Sequence, residues 1–136
     1  MPDPWVIVPH RVIYGDTDAM GIVYYGTWLR FLERGRNEYL RARGGNYRHM
    51  EASGYRLPVT EVGVRYHSPG RYDDELSIAT RIEELGRVTL RFAYRVTRAG
   101  EEPLLVSGFT VHACVSAATG KACRFPPEVL AWLPPR

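Results

Sequence analysis

After Leu57 nearly every segment of this chain alternates apolar and polar residues with period two, and only one long helical stripe comes before it. Val59, Glu61, Gly63 and Arg65 alternate with Thr60, Val62, Val64 and Tyr66. Leu76, Ile78, Thr80 and Ile82 follow with the same period, then Val88, Leu90, Phe92, Tyr94 and Val96. Period two places successive side chains on opposite faces of a strand. The turns between these runs are short, marked by Pro69-Gly70, Asp73-Asp74, Gly86 and Gly100. Short turns join antiparallel neighbours, because a parallel crossover needs a dozen residues or more.

The helical stripe consists of Trp28, Phe31, Leu32, Gly35, Tyr39 and Leu40, at spacings of three and four within Leu29 to Arg43. Arg30, Arg34, Glu38 and Arg41 fall on the solvent side. Thr27 or Gly26 can cap the start, and Gly44-Gly45 ends the helix. A glycine within the stripe costs about 1 kcal/mol relative to alanine, so Gly35 implies close approach of another backbone. Val6 to Tyr14 reads as a first strand, with Pro9 favouring an edge or a bulge. Asn46 to Ser53 reads as a short Asn-capped helix closed by Gly54. Leu104 to Ser116 and Lys121 to Phe125 read as further strands, and Glu128 to Leu133 as a last short helix. The order is strand, one long helix, then four or five antiparallel strands, an α+β arrangement in which the sheet must curl around the single helix. That architecture is the hotdog fold. One such layer leaves an open sheet edge, so pairing with a second copy is expected.

At 136 residues, with 45% hydrophobic and 24% charged residues, the chain fits one folded domain, residues 1–136. No apolar run approaches the ~20 residues of a membrane span. Met1 to Val8 lacks the basic flank and cleavage site of a signal peptide, so a cytoplasmic location is expected. The net charge of +3 comes with scattered arginines, not the dense stripe of a nucleic-acid surface. Cys114 and Cys123 have no metal-ligand spacing around them, and no metal is expected. If 117–120 closes a hairpin, the two cysteines face each other as small buried fillers.

The chemistry concentrates between the first strand and the helix, in Tyr14-Gly15-Asp16-Thr17-Asp18-Ala19-Met20-Gly21-Ile22-Val23-Tyr24-Tyr25-Gly26-Thr27-Trp28. Two carboxylates and a glycine turn stand directly before a helix start, which presents free N–H groups and partial positive charge. Acid, turn and helix start together suit attack on a carbonyl. The competing reading makes Asp16 and Asp18 turn residues that bond to their own backbone.

These same residues, followed by Leu32-Glu33-Arg34-Gly35-Arg36-Asn37-Glu38, closely resemble the 4-hydroxybenzoyl-CoA thioesterase family. The likeness continues through Leu57-Pro58-Val59, Tyr66-His67-Ser68-Pro69 and Tyr72-Asp73-Asp74-Glu75-Leu76. The family includes short acyl-CoA thioesterases found beside the Tol–Pal genes of bacteria. The resemblance implies hydrolysis of a coenzyme A thioester without a cofactor, by dimers that often pair into tetramers. It places the catalytic carboxylate, nucleophile or base for water, on Asp18, and gives Asp16 a supporting role. It places the oxyanion hole on the backbone N–H of Tyr25, beside Gly26. Many members carry His at position 25 while the aroyl thioesterases carry Tyr, which leaves the acyl group open. Arg87 and Thr89, and less so Arg91, are the family's candidates for coenzyme A contacts, while Tyr24, Trp28 and Val59 are expected to line the acyl slot.

Other chemistries fit less well. No Gly-x-Ser-x-Gly elbow is present. Hotdog dehydratases and hydratases place a His close to the catalytic acid, but five residues beyond Asp18 stands Val23. His10, His49, His67 and His112 read as packed or exposed rings, and Glu33 as a helix acid that either faces solvent or reaches the acyl end. The alternative from another class is a binding module for acyl-CoA or acyl-carrier protein with no turnover.

Overall fold

The structure is a computed structural model that describes residues 2–135. Its elements run β1 (Val6–Arg11), a 3-10 turn (Tyr14–Asp16), α1 (Thr27–Ala42), α2 (Tyr47–Ala52), β2 (Tyr55–Arg56), β3 (Val59–Tyr66), β4 (Glu75–Leu85), β5 (Thr89–Arg98), β6 (Leu104–Ala113), β7 (Val115–Ser116) and α3 (Pro127–Leu130). Five strands form one antiparallel sheet in the order β1-β4-β5-β6-β3, and β2 pairs separately with β7. The ladders shift register between Val59 and Glu61, Ile82 and Glu84, and Val96 and Thr97. Such irregularities bend strands and raise their twist, which lets the sheet wrap its helix. No helix among the described residues is long and apolar enough to cross a membrane.

The core is where the helical stripe meets the period-two face. Trp28, Phe31, Leu32, Tyr39 and Leu40 on α1 are buried, as are Leu76, Ile78 and Ile82 on β4 and Leu90, Phe92, Tyr94 and Val96 on β5. Each such side chain contributes about 1.5–3 kcal/mol by leaving water. Gly35 is the point of closest approach: a Cβ there would run into Thr80 Oγ1 and come within 3.0 Å of Ile78 Cγ2. The glycine makes room for β4 side chains, not for another backbone.

Several boundaries differ from the sequence reading. The first strand stops at Arg11, because Tyr14–Asp16 winds into a turn whose Asp16 carboxylate accepts the Ile13 N–H at 3.0 Å. Pro9 does sit on an edge strand. The run Leu104 to Ser116 breaks at Cys114 into β6 and β7. Lys121 to Phe125 is not a strand. Ala122 makes one bridge to Val115, the backbone N–H of Phe125 then reaches Arg87 O at 3.2 Å, and Pro126-Pro127 offer no N–H to continue a ladder. The last helix covers Pro127–Leu130 only. Cys114 and Cys123 do face each other, with sulfurs 3.7 Å apart and both thiols free.

His112 lies fully buried on β6, its Nδ1 2.9 Å from Leu57 O and its Nε2 2.8 Å from Thr110 Oγ1. Burial, reinforced by the charge of Arg36, pushes its pKa down to about 4. A folded-state value below the unfolded 6.5 means that the neutral ring is stabilised, fully so above pH 6.5. Denaturant titrations should therefore show stability falling as pH drops from 6.5 towards 4, with a shallower fall in His112→Gln. Gly35→Ala should cost about 1–2 kcal/mol in the same assay, overpacking against Thr80 and Ile78 outweighing the ~1 kcal/mol gain in helix propensity.

Candidate active site

The loop from Val12 to Gly26 is held from its back by Asp16. This carboxylate is buried, accepts the Ile13 N–H and lies 3.0 Å from His10 Nε2, while the His10 ring packs on Phe31 of α1 with centroids 4.4 Å apart. The Asp16 carbonyl accepts the Tyr24 N–H at 2.9 Å, Thr17 bridges to Val23, and the Val23 N–H reaches Gly70 O at 2.8 Å. One residue thus ties β1, the loop and the entry to α1 together. Its supporting role is physical.

Asp18 stands on the other side. Its N–H donates to Ile22 O at 2.9 Å, and Gly21, with φ +78, turns the chain back so that its N–H reaches Asp18 O at 3.0 Å. That positive φ explains the glycine. The carboxylate takes a single hydrogen bond among the described residues, from the Met20 N–H to Oδ1 at 2.8 Å. The turn contact foreseen for a merely structural aspartate is therefore present, and it leaves Oδ2 free. Asp18 also lines a cavity of about 370 Å³ together with Met20, Ile22, Val23, Tyr25, Trp28 and the Tyr66-His67-Ser68-Pro69 segment.

The helix start adds donors to the same place. α1 has no side-chain cap, and the backbone N–H groups of Tyr25 and Gly26 make no hydrogen bond among the described residues. Both peptides are nevertheless held. The Tyr24 carbonyl, whose peptide carries the Tyr25 N–H, accepts from Thr27 N at 2.9 Å. The Tyr25 carbonyl, whose peptide carries the Gly26 N–H, accepts from the Tyr66 hydroxyl at 2.9 Å. Partial burial and then the neighbouring Tyr25 push the Tyr66 phenol up, so it stays protonated as that donor at neutral pH. Fixed, unsatisfied N–H groups at a helix start are a ready site for an anion or a developing oxyanion.

The structure brings Asp18, Tyr25 and Trp28 together on one cavity, with Gly26 next to Tyr25 in the chain but not on the lining, and it disperses the other expected residues. Tyr24 does not line the cavity: its ring lies against that of Tyr25, centroids 4.6 Å apart, and 3.0 Å from where a Gly26 Cβ would stand. Val59 opens β3 while Tyr66 closes it, which separates them by roughly 23 Å along the strand, and Val59 borders a different cavity. Thr89 lines a third cavity, at the β4–β5 turn beside Gly86 and Arg91, and Arg87 is exposed at that same turn. Tyr66 and His67 were missed as site residues. Their signal was the Tyr66-His67-Ser68-Pro69 likeness, but an exposed strand end carries no periodicity that points to a loop fifty residues earlier.

A curved antiparallel sheet around one long helix is the hotdog fold. The thioesterase-like superfamily model matches residues 12–133. The acyl-CoA thioester hydrolase YbgC of Escherichia coli is 34% identical over 123 residues, covering 90% of this chain and 91% of that protein. The acyl-CoA thioesterase YbgC of Haemophilus influenzae is 36% identical over 125 residues, covering 90% of each. The crystal structure of the DHNA-CoA thioesterase of Staphylococcus aureus superposes with a TM-score of 0.87 at 28% identity, covering 94% of this chain and 88% of that one. The chain belongs to the thioesterase-like superfamily, and it is a thioester hydrolase.

Asp16→Ala should destabilise the fold by about 1–3 kcal/mol, because the Ile13 N–H loses its acceptor and the His10 ring its buried partner. Chemical denaturation against the wild type measures this.

Proposed function

We propose that this protein is a cytoplasmic acyl-CoA thioesterase, with Asp18 as nucleophile or general base and the Tyr25 and Gly26 N–H groups as its oxyanion hole. One observation carries the reading: Asp18, with a carboxylate oxygen free, and Tyr25, whose backbone N–H is unsatisfied on an anchored peptide, border one largely apolar cavity, and the equally unsatisfied Gly26 N–H follows next in the chain. As the thioester carbonyl is attacked, its oxygen gains charge, and donors fixed in advance stabilise that charge without reorganising. Water supplies the hydroxyl of the acid and the proton that the departing coenzyme A thiolate takes up. Trp28, Val23 and Ile22 give the acyl group an apolar wall.

The remaining expected residues enter through assembly. β3 is an edge strand with Val59, Val62 and Tyr66 exposed by 44%, 46% and 48%. Unpaired edges with apolar side chains favour pairing with another chain. Antiparallel pairing of two β3 edges about a two-fold axis sets Val59 of one copy beside Tyr66 of the other, which returns Val59 to the acyl slot. We assign the coenzyme A end to Arg87 and Thr89, as the family resemblance does, in a homodimer or homotetramer.

The test is release of free thiol from a panel of aliphatic and aromatic acyl-CoA thioesters. Asp18→Asn should lower kcat by ~10²–10⁴-fold with the fold intact. Arg87→Ala should raise KM for acyl-CoA and leave kcat nearly unchanged. Saturable acyl-CoA binding without turnover by the wild type would instead make the protein a binding module, and full activity in Asp18→Asn would refute the role given to that residue.

A further inference from the structure

A second cavity, of about 360 Å³, lies between the middle of α1, α2 and the entry to β3. Its polar lining comes from Glu33, Arg36, Asn37, Tyr47 and Glu51. Arg36 occupies the buried stripe of α1, four residues after Leu32 and four before Leu40, and only 9% of it is exposed. Its Nε is wholly buried without a hydrogen-bond partner. Among the described residues the one carboxylate within 4 Å belongs to the exposed Glu33, whose Oε1 stays 3.8 Å from Nη2, beyond hydrogen-bond length. The Tyr47 hydroxyl on the same cavity is also buried and unpartnered, and burial pushes that phenol up to about 12, so it keeps its proton to donate.

Among the described residues no carboxylate lies beneath them to neutralise the guanidinium, which faces the Tyr94 phenol there. The Tyr94 hydroxyl is bonded to Thr110 at 2.6 Å, and His112 is engaged by Thr110 and Leu57. A buried guanidinium N–H without an acceptor is costly, and fold stability alone gives no reason to keep it. Its planar fork of donors matches the two oxygens of a carboxylate.

We propose that this cavity is a carboxylate-binding site, Arg36 taking the anion as a fork with Tyr47 and Asn37 donating beside it. Glu33 and Glu51 on the lining repel multiply charged anions, so the site takes a monoanionic carboxylate in preference to phosphate. That carboxylate has two chemical sources: the distal end of a dicarboxylic acyl group, or a free carboxylic acid. The first source rests on the thioesterase reading, in which paired β3 edges set Val59, on the rim of this cavity, beside Tyr66 at the acyl slot of the second copy.

The experiment titrates the 136-residue chain calorimetrically with monomethyl glutarate, pentanoate and inorganic phosphate, and then repeats it with Arg36→Met and Tyr47→Phe. Saturable carboxylate binding is expected in the wild type, weakened about tenfold or more in Arg36→Met, with phosphate inert. Without ligand, Arg36→Met should melt ~2–8 °C higher, since an apolar chain of similar length removes the unpaired charge. If Arg36→Met fails to fold or melts lower, Arg36 is a structural residue and the proposal falls. It falls equally if no carboxylate binds, or if Tyr47→Phe and Arg36→Met both bind like the wild type. Thiol release from glutaryl-CoA against pentanoyl-CoA then separates the sources. A preference for glutaryl-CoA that Arg36→Met abolishes assigns the site to the acyl terminus. Carboxylate binding without that preference assigns it to a free acid. If no thioester of the wider aliphatic and aromatic panel is hydrolysed either, the catalytic reading fails while the titration still decides the site.

Discussion

The seating of α1 on β4 at Gly35 is the contact on which the rest depends. Because no side chain intervenes there, the helix sinks far enough to bury Trp28, Phe31, Leu32, Tyr39 and Leu40 against the sheet. That depth fixes the helix start, and the helix start carries the Tyr25 and Gly26 N–H groups. Phe31, one turn into α1, also supports the His10 ring that faces Asp16. Core packing and site geometry are therefore two ends of one rigid helix.

The loop before α1 resolves a conflict between stability and reactivity by dividing labour between two aspartates. Asp16 is buried and engaged at carboxylate and carbonyl alike, so it holds. Asp18, two residues on, keeps one oxygen free beside an apolar cavity. The same division recurs at the helix start, where Tyr24 O and Tyr25 O are bonded while the N–H groups of Tyr25 and Gly26 are not. Anchoring a peptide through its carbonyl leaves its N–H aimed and unsatisfied. Arg36 follows this pattern at the other cavity, as a charged group within the stripe whose Nε is left without a hydrogen-bond partner.

Much of the fold could be read from local pattern. The apolar stripe of α1, the alternation in β3 to β6 and the glycine-marked turns all depend on spacing within a few residues. Asp18, Gly21 and Trp28 were legible as well, because turn chemistry and a helix start are also local. What escaped the sequence lies at long range or against pattern. Tyr66 reaches Tyr25 across 41 positions, and Val59 shares a strand with Tyr66 yet ends far from it. Arg36 passed as one of the scattered arginines because of its charge, although it stands in the stripe four residues after Leu32 and four before Leu40.

The sequence by itself determined the long helix and the main strands, their order, the curled sheet about a single helix and the loop that bears the acid. Periodicity and backbone preference are properties of neighbouring residues, so no tertiary information was needed. Only the tertiary structure decided which side chains meet. It put Tyr66 and His67 at the cavity of Asp18, gave the Gly86 turn with Thr89 a cavity of its own, and buried Arg36 without a carboxylate in hydrogen-bond reach. Those juxtapositions follow from strand register and helix depth, which are fixed by packing across the whole chain.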